Sequence, residues 1–167
     1  MREPTSSGLT GRSARIVTAS SRAAAGVYPD RGGALIAEIL RSWGMDVPDP
    51  VVVPDGPQVS AALSAALAEG PDLLLTTGGT GLTPTDGTPE ATAPLLDRQV
   101  PGIPEAIRAY GAAHGIPTSV LSRGLAGIAG RTLVVNLPGS IGGVRDALAV
   151  LEPLLGHALS QIAGGDH

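Results

Sequence analysis

The segment 72–90, DLLLTTGGTGLTPTDGTPE, holds the residues whose types and spacing point most directly to chemistry. A run of aliphatic and β-branched residues stops at the sequence GGTG of residues 78–81, which is typical of a buried strand that enters a glycine-rich loop. Because glycine has no Cβ, the backbone N–H groups of such a loop can close on an anion such as a phosphate. The hydroxyls of Thr77 and Thr80 would add donors. The alternative interpretation is a tight turn with a packing role alone.

Asp86 lies five residues after this loop, directly before a predicted helix start. Thr88 is predicted as the N-cap and Pro89 lies in the first turn of a helix over 91–98. A carboxylate is therefore held between a phosphate-sized cradle and a helix. Two common phosphate motifs do not fit, since Pro84 occupies the third glycine position of a dinucleotide fingerprint and no Gly-Lys-Ser/Thr follows.

The composition favours one globular domain with an aliphatic core. A chain of 167 residues is long enough to bury about 70% of its unfolded surface. The hydrophobic share of 43% includes no Phe, one Trp and two Tyr. All 11 basic residues are arginine, so a lysine nucleophile is excluded and any cationic catalysis must use arginine. The net charge of -4 and the lack of basic clusters argue against a nucleic-acid partner.

The absence of cysteine and of long apolar stretches limits the cellular compartments in which the protein is expected. Without cysteine there is no disulfide, no thiolate metal ligand and no cysteine nucleophile. No stretch reaches the roughly 18 apolar residues of a membrane span, and the first residues lack a signal-peptide core, so we expect a cytoplasmic protein with no membrane partner. Residues 1–13 are polar and predict a disordered lead-in, followed by a single domain over 14–167.

Strand and helix signals alternate along the chain. Short apolar runs predict strands over 15–20, 51–53, 73–77 and 131–136. Apolar periodicity predicts helices over 33–43, 57–69, 91–98, 104–114 and 143–162. Pro153 is expected to break or kink the last helix, and residues 119–124 fit either a short strand or a helical turn. Because the strands are apolar throughout, we predict an α/β fold, a three-layer α/β/α sandwich with a mainly parallel central sheet.

Residues able to bind a ligand gather at the predicted strand ends. In sheets of this kind, ligands bind outside the carboxyl ends of the strands. Ser20, Asp55, segment 77–86 and segment 136–140 all lie at such ends. Ser140, beside glycines, opens the last helix, where backbone N–H groups and the helix dipole favour an anion. We therefore expect one rim that carries two anion-binding turns and two carboxylates.

Several polar residues also allow a structural interpretation. Asp30 and Arg31 fit a helix cap with a solvated neighbour as well as they fit a site. Asp55 lies in Pro-Asp-Gly, which is common in ordinary turns. The histidines at 114, 157 and 167 have no partner at metal-ligand spacing, and we expect structural or surface roles for all three.

Six motifs, taken in order, resemble the MogA and MoaB proteins of molybdenum cofactor synthesis. Over about residues 14–160 they are SSRAAAGVYPDRGG, VVVPDG, TTGGTGLTPTDGTPEAT, PGIPEAIR, LSRG and RTLVVNLPGS. The resemblance implies a molybdopterin-binding α/β fold, usually a homotrimer, that adenylylates molybdopterin. ATP and molybdopterin, with Mg²⁺, would give adenylylated molybdopterin and pyrophosphate. The product would pass to a MoeA-like molybdate insertase.

The resemblance also implies roles for individual residues. The two important carboxylates of the family match Asp55 and Asp86, which we expect to bind Mg²⁺ and to align phosphates. Substrate contacts are expected at Ser20, Thr77, Gly78, Gly79, Thr80, Gly81, Ser122, Asn136, Pro138, Gly139 and Ser140. Charge stabilisation is expected from Arg22, Arg31 and Arg123.

Two departures from the family pattern leave other functions open. Many members carry Arg immediately before the Asp that matches Asp86, where this chain has Thr85. The first loop often reads Ser-Asp-Arg, and here Ser21 replaces the Asp. The adenylyltransferase is our first hypothesis. A MoaB-like carrier that binds molybdopterin without turnover is the second, and an interaction module is the third.

Overall fold

The computed structural model describes residues 8–165, which form a six-stranded sheet with helices on both faces. The strands are β1 (Ala14–Ala19), β2 (Val51–Val53), β3 (Leu73–Thr77), β4 (Arg98–Gln99), β5 (Ala126–Ala129) and β6 (Thr132–Leu137). The helices are α1 (Ser21–Ala24), α2 (Arg31–Ser42), α3 (Pro57–Ala68), α4 (Thr88–Thr92), α5 (Gly102–Ala113) and α6 (Ile141–Ile162). Short 3₁₀ helices cover Ala93–Leu95 and Pro117–Leu121. Within this part of the chain, no helix combines the length and apolarity needed to cross a bilayer.

The strands follow the order β2-β1-β3-β6-β5-β4. The first four in this order are parallel, and β5 and β4 add an antiparallel edge. Side chains of α2, α5 and α6 pack on one face of the sheet, and those of α3 and α4 pack on the other. The predicted three-layer α/β/α sandwich with a mainly parallel sheet is confirmed.

The central strand β3 shows why an apolar run specifies this position. Its five residues are all buried. Because successive side chains of a strand point to opposite faces, Leu73 and Leu75 enter the core beneath α2 and α6, and Leu74 enters the core beneath α3. Full burial of one such side chain contributes about 1.5–3 kcal/mol. The core is aliphatic, as the composition predicts.

The predicted disordered lead-in is wrong for residues 8–13. Leu9 is fully buried in the larger core cluster, and Ser13 forms a parallel bridge to Asp46 beside the start of β1. The buried Leu9 side chain anchors this polar segment in the core, and backbone hydrogen bonds, such as the one from the N–H of Gly11 to the carbonyl of Gly44 at 3.0 Å, hold the rest of it. Residues 1–7 lie outside the described part of the chain.

Helix boundaries differ from prediction where caps and prolines act. Helix α2 starts two residues early because Asp30 caps it, so the cap interpretation of Asp30 is confirmed. The predicted helix 91–98 is wrong: α4 spans only five residues, and Pro94 lies in the 3₁₀ turn that ends it. Proline has no N–H to continue an α-helical ladder. Residues 119–121 belong to a 3₁₀ helix, so of the two alternatives for this segment, a short strand or a helical turn, the helical turn is observed.

Strand β5 and the continuity of helix α6 were not anticipated from local sequence, and neither were the short elements α1 and β4. Strand β5 consists of Ala, Gly, Ile and Ala, and alanine and glycine are poor strand formers, so its pairing with β6 is a tertiary effect. Helix α6 continues through Pro153 without a break. The leucines on its buried stripe, Leu151 and Leu155, hold the helix on the core on both sides of the proline.

A buried amide joins the elements that carry the glycine loop. Asn136 on β6 is 2% exposed. Its Nδ2 donates to the hydroxyls of Thr76 and Thr92, both at 3.0 Å, and its Oδ1 accepts from the N–H of Leu125 at 3.0 Å. This side chain therefore links β6 with β3, with α4 and with the segment that enters β5.

A guanidinium fixes the other end of the same loop. Arg123 donates from Nε to the carbonyl of Gly81 at 2.8 Å and from Nη2 to the carbonyl of Asp86 at 3.1 Å. Its Nη1 pairs with the carboxylate of Glu90. This hydrogen bond holds the pKa of Glu90 below its ordinary value of 4.5. Segment 81–90 is thus bound to the segment between the 3₁₀ helix Pro117–Leu121 and β5.

We expect Asn136→Ala to lower the free energy of unfolding by about 2–4 kcal/mol, because the mutation removes the hydrogen-bond partner of the buried Thr76 hydroxyl and of the Leu125 N–H. Urea unfolding followed by circular dichroism measures the change. Gln58→Ala, which removes an amide from an exposed position on α3, is the control and should shift stability by less than about 0.5 kcal/mol. Equal stabilities of the two variants would contradict the role of the Asn136 network.

Glu90→Gln tests the ion pair through its pH dependence. Because the folded-state pKa of Glu90 lies below the unfolded value, the stabilisation is complete above pH 4.5 and is lost as the pH falls through the lowered value. We expect the stability difference between parent and variant to be present at neutral pH and to vanish in acid, as measured by urea unfolding at both. Glu38→Gln, on the exposed side of α2, is the control. A difference that does not change with pH would contradict the pairing.

Candidate functional site

The turns after the parallel strands meet at one rim, as expected. The N–H of Ser20, after β1, donates to the carbonyl of Val53 on β2 at 2.9 Å. The N–H of Gly78, after β3, donates to the carbonyl of Leu137 on β6 at 3.3 Å. The ends of four neighbouring strands are therefore held together by backbone hydrogen bonds.

Two cavities open at this rim. The first, here the α2 cavity, has a volume of about 590 Å³ and is lined by residues that include Ser20, Asp30, Arg31, Thr77 and Gly78. The second, here the α5 cavity, has a volume of about 410 Å³ and is lined by residues that include Gly79, Thr80, Gly81, Asp86, Ser122 and Pro138. Gly139 and Ser140 line both cavities and form a shared wall.

The glycine loop needs its glycines for conformation and for space. Gly78 and Gly79 have φ values of +89° and +69°, in the left-handed region. A Cβ on Gly78 would collide with the carbonyl oxygen of Ala19. A Cβ on Gly139 would lie 3.2 Å from the Cα of Gly78. The turns after β1, β3 and β6 therefore pack backbone against backbone.

Asp55 is held at this loop by Ser21, one of the two departures from the family pattern. Its Oδ2 accepts hydrogen bonds from the N–H of Ser21 at 3.3 Å and from the Ser21 hydroxyl at 3.1 Å. Its Oδ1 points to Gly79, where an added Cβ would lie 3.4 Å away. Within residues 8–165, Oδ1 accepts no hydrogen bond and is open to a ligand.

Asp86 approaches the loop at a different glycine, Gly81. Its Oδ2 accepts a hydrogen bond from the N–H of Thr83 at 3.1 Å and would lie 2.8 Å from a Cβ on Gly81. The carboxylate lines the α5 cavity. The two predicted carboxylates are thus brought to one loop, Asp55 at Gly79 and Asp86 at Gly81.

Thr88 adds an oxygen that the sequence did not single out as a site residue. Its hydroxyl is fully buried, has no hydrogen-bond partner among the described residues, and would collide with a Cβ on Gly79. In the same part of the chain, no three His, Cys, Asp or Glu side chains cluster as metal ligands. A site with only one or two carboxylates, next to a loop that can bind phosphate, suits a hard cation. The remaining ligands of such a cation come from the substrate and from water.

The second predicted anion turn is present at the start of α6. Ser140 caps this helix of 22 residues, and its hydroxyl accepts from the N–H of Gly143 at 3.0 Å. Thr77 donates its hydroxyl to the carbonyl of Pro138 at 2.8 Å, which joins the two turns. Helix N-termini that face a cavity are suited to bind anions.

Some predicted site residues lie elsewhere. Asn136 lines neither cavity, and its polar atoms are engaged in the buried network, so its expected substrate contact is not supported. Arg123 is engaged with the loop itself. Arg22 is exposed and lines neither cavity, whereas Arg31 is exposed at the α2 cavity. His114 stacks on Tyr110 at a centroid distance of 3.9 Å, and His157 is exposed; His167 lies outside the described residues.

Three lining residues were missed by sequence reasoning. Tyr28 lines the α2 cavity, and Arg108 and Asp146 line the α5 cavity. Arg108 donates from Nη1 to the carbonyls of Ser122 and Gly124, both at 3.3 Å. Arg108 and Asp146 lie on α5 and α6, which pack against each other. Arg108 is the last residue of the motif PGIPEAIR, so the motif was the signal that could have singled it out, whereas no quoted motif contains Asp146.

Comparison with known proteins gives the same family as the motifs. A family model described as a probable molybdopterin binding domain matches residues 15–157. The molybdopterin adenylyltransferase of Helicobacter pylori is 33% identical over 153 residues, which are 89% of this chain and 86% of that protein. The solved structure of the molybdopterin biosynthesis Mog protein from Mycobacterium ulcerans is 53% identical, covers 91% of this chain and 99% of its own, and superposes with a TM-score of 0.86.

The chain spans about half the length of other curated relatives it matches. The molybdenum cofactor biosynthesis bifunctional protein of Synechococcus elongatus is 42% identical over 160 residues, which are 95% of this chain and 50% of that protein. The chain belongs to the MogA and MoaB family of molybdenum cofactor biosynthesis proteins, whose shared unit is the molybdopterin-binding domain.

Proposed function

We propose that the chain is a molybdopterin adenylyltransferase, which transfers AMP from ATP to the terminal phosphate of molybdopterin and releases pyrophosphate. The observation that carries the proposal is that Asp55 and Asp86 both approach the glycine loop, Asp55 at Gly79 and Asp86 at Gly81, where Asp86 also lines the α5 cavity. The name of the Helicobacter pylori relative supports the same activity.

The reaction requires two anionic groups to meet. A phosphate oxygen of molybdopterin forms a bond to the α-phosphorus of ATP, and the bond from that phosphorus to the bridging β-phosphate oxygen breaks. The wall of Gly139 and Ser140 allows ligands in the two cavities to approach each other, so much of the rate gain would come from positioning. The backbone of residues 78–81 and the first turn of α6 would donate N–H groups to the phosphates.

Asp55 and Asp86 would hold Mg²⁺, which when bound neutralises phosphate charge. Oδ1 of Asp55 is available for this role, and Oδ2 is already oriented by Ser21. We assign both carboxylates to phosphate alignment and not to proton abstraction, because a phosphate nucleophile is already ionised near neutral pH. The unpartnered hydroxyl of Thr88 lies beside Asp55 at the same glycine.

Two guanidinium groups take the role that the family Arg has at the position of Thr85. Arg31 at the α2 cavity and Arg108 at the α5 cavity place one positive charge in each. A guanidinium matches phosphate geometry and keeps its charge at all relevant pH values. We propose that these two neutralise the substrates in place of Arg123, because only Nη1 of Arg108 donates to carbonyls, whereas all three guanidinium nitrogens of Arg123 are engaged.

One observation favours the carrier as a second candidate. Thr85 is exposed, and its hydroxyl lies 3.3 Å from that of Thr83, so it brings no charge to the loop. Arg123 reaches the loop but is engaged with two carbonyls and Glu90. A protein that binds molybdopterin but lacks a cation at the transferring phosphate would bind without turnover.

We expect Asp86→Asn to reduce adenylyl transfer by at least about 100-fold while molybdopterin binding stays within a few-fold of the parent, because the metal would lose a charged ligand. Pyrophosphate and adenylylated pterin are measured together with purified protein, molybdopterin, ATP and Mg²⁺. Asp46→Asn, an exposed carboxylate beside the opposite end of β1, is the control and should match the parent. Equal turnover in Asp86→Asn and the parent would remove Asp86 from the mechanism.

Tight molybdopterin binding without pyrophosphate from the parent would instead select the carrier. In that case Thr85→Arg becomes the informative variant, since it restores the charge found in many family members. Turnover gained by Thr85→Arg would show that the parent lacks activity because it has no positive charge at this position.

We also propose that the chain forms a homotrimer and hands its product to a MoeA-like molybdate insertase. Exposed large apolar side chains at Leu82, Ile116, Val120 and Leu121 support self-association. Sedimentation velocity at micromolar concentration is expected to give a trimer. A monomer under these conditions would count against the assembly.

A further inference from the structure

Ser21 and Asp55 are joined by three hydrogen bonds, although 34 positions separate them in the chain. The hydroxyl of Ser21 donates to Oδ2 of Asp55 at 3.1 Å, and the N–H of Ser21 donates to the same oxygen at 3.3 Å. The N–H of Asp55 in turn donates to the hydroxyl oxygen of Ser21 at 3.1 Å. Ser21 therefore holds both the backbone and the side chain of Asp55.

The backbone around Asp55 has little other support. Asp55 follows β2, a strand of three residues that lies at the edge of the sheet and pairs only with β1. Gly56 comes next, and its φ of +119° is a conformation that favours glycine. Within residues 8–165, no donor other than Ser21 reaches the carboxylate of Asp55. The orientation of this carboxylate thus depends on Ser21.

The contacts of Asp55 differ from those of an aspartate that serves an ordinary turn. Such a residue accepts a hydrogen bond from the backbone N–H two positions further on. That position is Pro57, which has no N–H. The carboxylate instead accepts from the loop after β1. Its orientation is therefore set by a contact between two strand ends.

This contact leaves Oδ1 of Asp55 for a ligand. Oδ1 accepts no hydrogen bond from residues 8–165 and would lie 3.4 Å from a Cβ on Gly79. The buried hydroxyl of Thr88, which has no partner in the same part of the chain, adjoins that position. Carboxylate and hydroxyl oxygens suit a hard divalent cation. A carboxylate that is oriented before the cation arrives has less conformational freedom to lose on binding.

A hydroxyl can orient Asp55 in the absence of a cation, whereas an aspartate at position 21 could not. The first loop of the family often has Asp where this chain has Ser21. Two carboxylates at hydrogen-bond distance repel each other. The hydroxyl of Ser21 donates to one carboxylate oxygen and carries no charge, so the negative charge of Asp55 remains available to the cation.

We propose that Ser21 is a positioning residue, which holds Oδ2 of Asp55 and thereby directs Oδ1 to a divalent cation. The use of this cation in adenylyl transfer rests on the proposed function; the hydrogen bonds that orient Asp55 do not depend on it. Ser21 lines neither cavity, so its effect is exerted through Asp55.

Binding of Mn²⁺ to the full chain tests the proposal without turnover, because the paramagnetic resonance signal of the free ion disappears on binding. Mn²⁺ accepts the same oxygen ligands as Mg²⁺. We expect Ser21→Ala to weaken the Mn²⁺ binding that depends on Asp55 by about 3- to 10-fold, since a hydrogen bond to the carboxylate is lost. Ser21→Thr keeps a hydroxyl at this exposed position and should bind Mn²⁺ as the parent does.

A double-mutant cycle shows whether Ser21 acts through Asp55. Asp55→Asn defines the part of the Mn²⁺ binding that depends on this carboxylate. Adding Ser21→Ala to Asp55→Asn should have no further effect, because the side chain that Ser21 orients no longer carries charge. An equal effect of Ser21→Ala with and without Asp55→Asn would overturn the proposal.

Ser64→Ala is the matched control, since it removes an exposed hydroxyl from α3, and it should leave Mn²⁺ binding unchanged. Helix α1 has no buried side chain, so Ser21→Ala should unfold at nearly the same urea concentration as the parent. In a turnover assay, Ser21→Ala should lower kcat and leave the KM for molybdopterin unchanged, because Ser21 lines neither cavity.

The outcomes distinguish this proposal from the proposed function. Mn²⁺ binding that does not depend on Asp55, or that Ser21→Ala does not weaken, overturns the role of Ser21. Binding that Ser21→Ala weakens and Ser21→Thr retains, in a parent that releases no pyrophosphate, supports the role of Ser21 and overturns the adenylyltransferase. Turnover by a parent whose Mn²⁺ binding is unchanged in Ser21→Ala does the reverse.

Discussion

The approach of three backbones at Gly78 is the constraint on which the site depends. Strands β1, β3 and β6 are neighbours and end at the same edge, so the turns that follow them compete for one small volume. They fit because Gly78 and Gly139 have no side chains and Gly78 packs against the carbonyl of Ala19. Gly78 lines one cavity and Gly79 the other. A single Cβ at this point would separate the strands and change both cavities together.

The polar groups near the rim divide into those that serve the fold and those that remain open. Asn136, Asp30 and Arg123 have their polar atoms engaged by named partners, which makes the loop rigid before any ligand arrives. Oδ1 of Asp55 and the hydroxyl of Thr88 have no such partner in the described part of the chain. A site built in this way has little reorganisation left to complete when charge develops on a bound phosphate.

The sequence was sufficient to predict the architecture and the approach of Asp55 and Asp86 to the glycine loop, because both follow from local sequence patterns. Apolar runs specify buried parallel strands, and the turns after such strands must share one edge. The sequence was insufficient to predict positions that depend on contacts between elements far apart in the chain. Strand β5 has weak strand propensity, Leu9 is fixed by a core far along the chain, and Asp146 enters the cavity only because α6 packs on α5. Asn136 was expected at the end of a strand and free to contact substrate, but it lies inside β6 and its side chain donates to Thr92 on α4.

Helix α6 carries both Ser140, which forms the wall between the cavities, and Asp146, six residues further on. An α-helix rises 1.5 Å per residue, so these two groups are about 9 Å apart along a rod that Leu148 and Leu151 fix to the core. The rigid helix therefore keeps the separation of Ser140 and Asp146 constant. A ligand that contacts both groups is selected by the distance between its ends, and a shorter or longer molecule with the same chemical groups would satisfy only one of them.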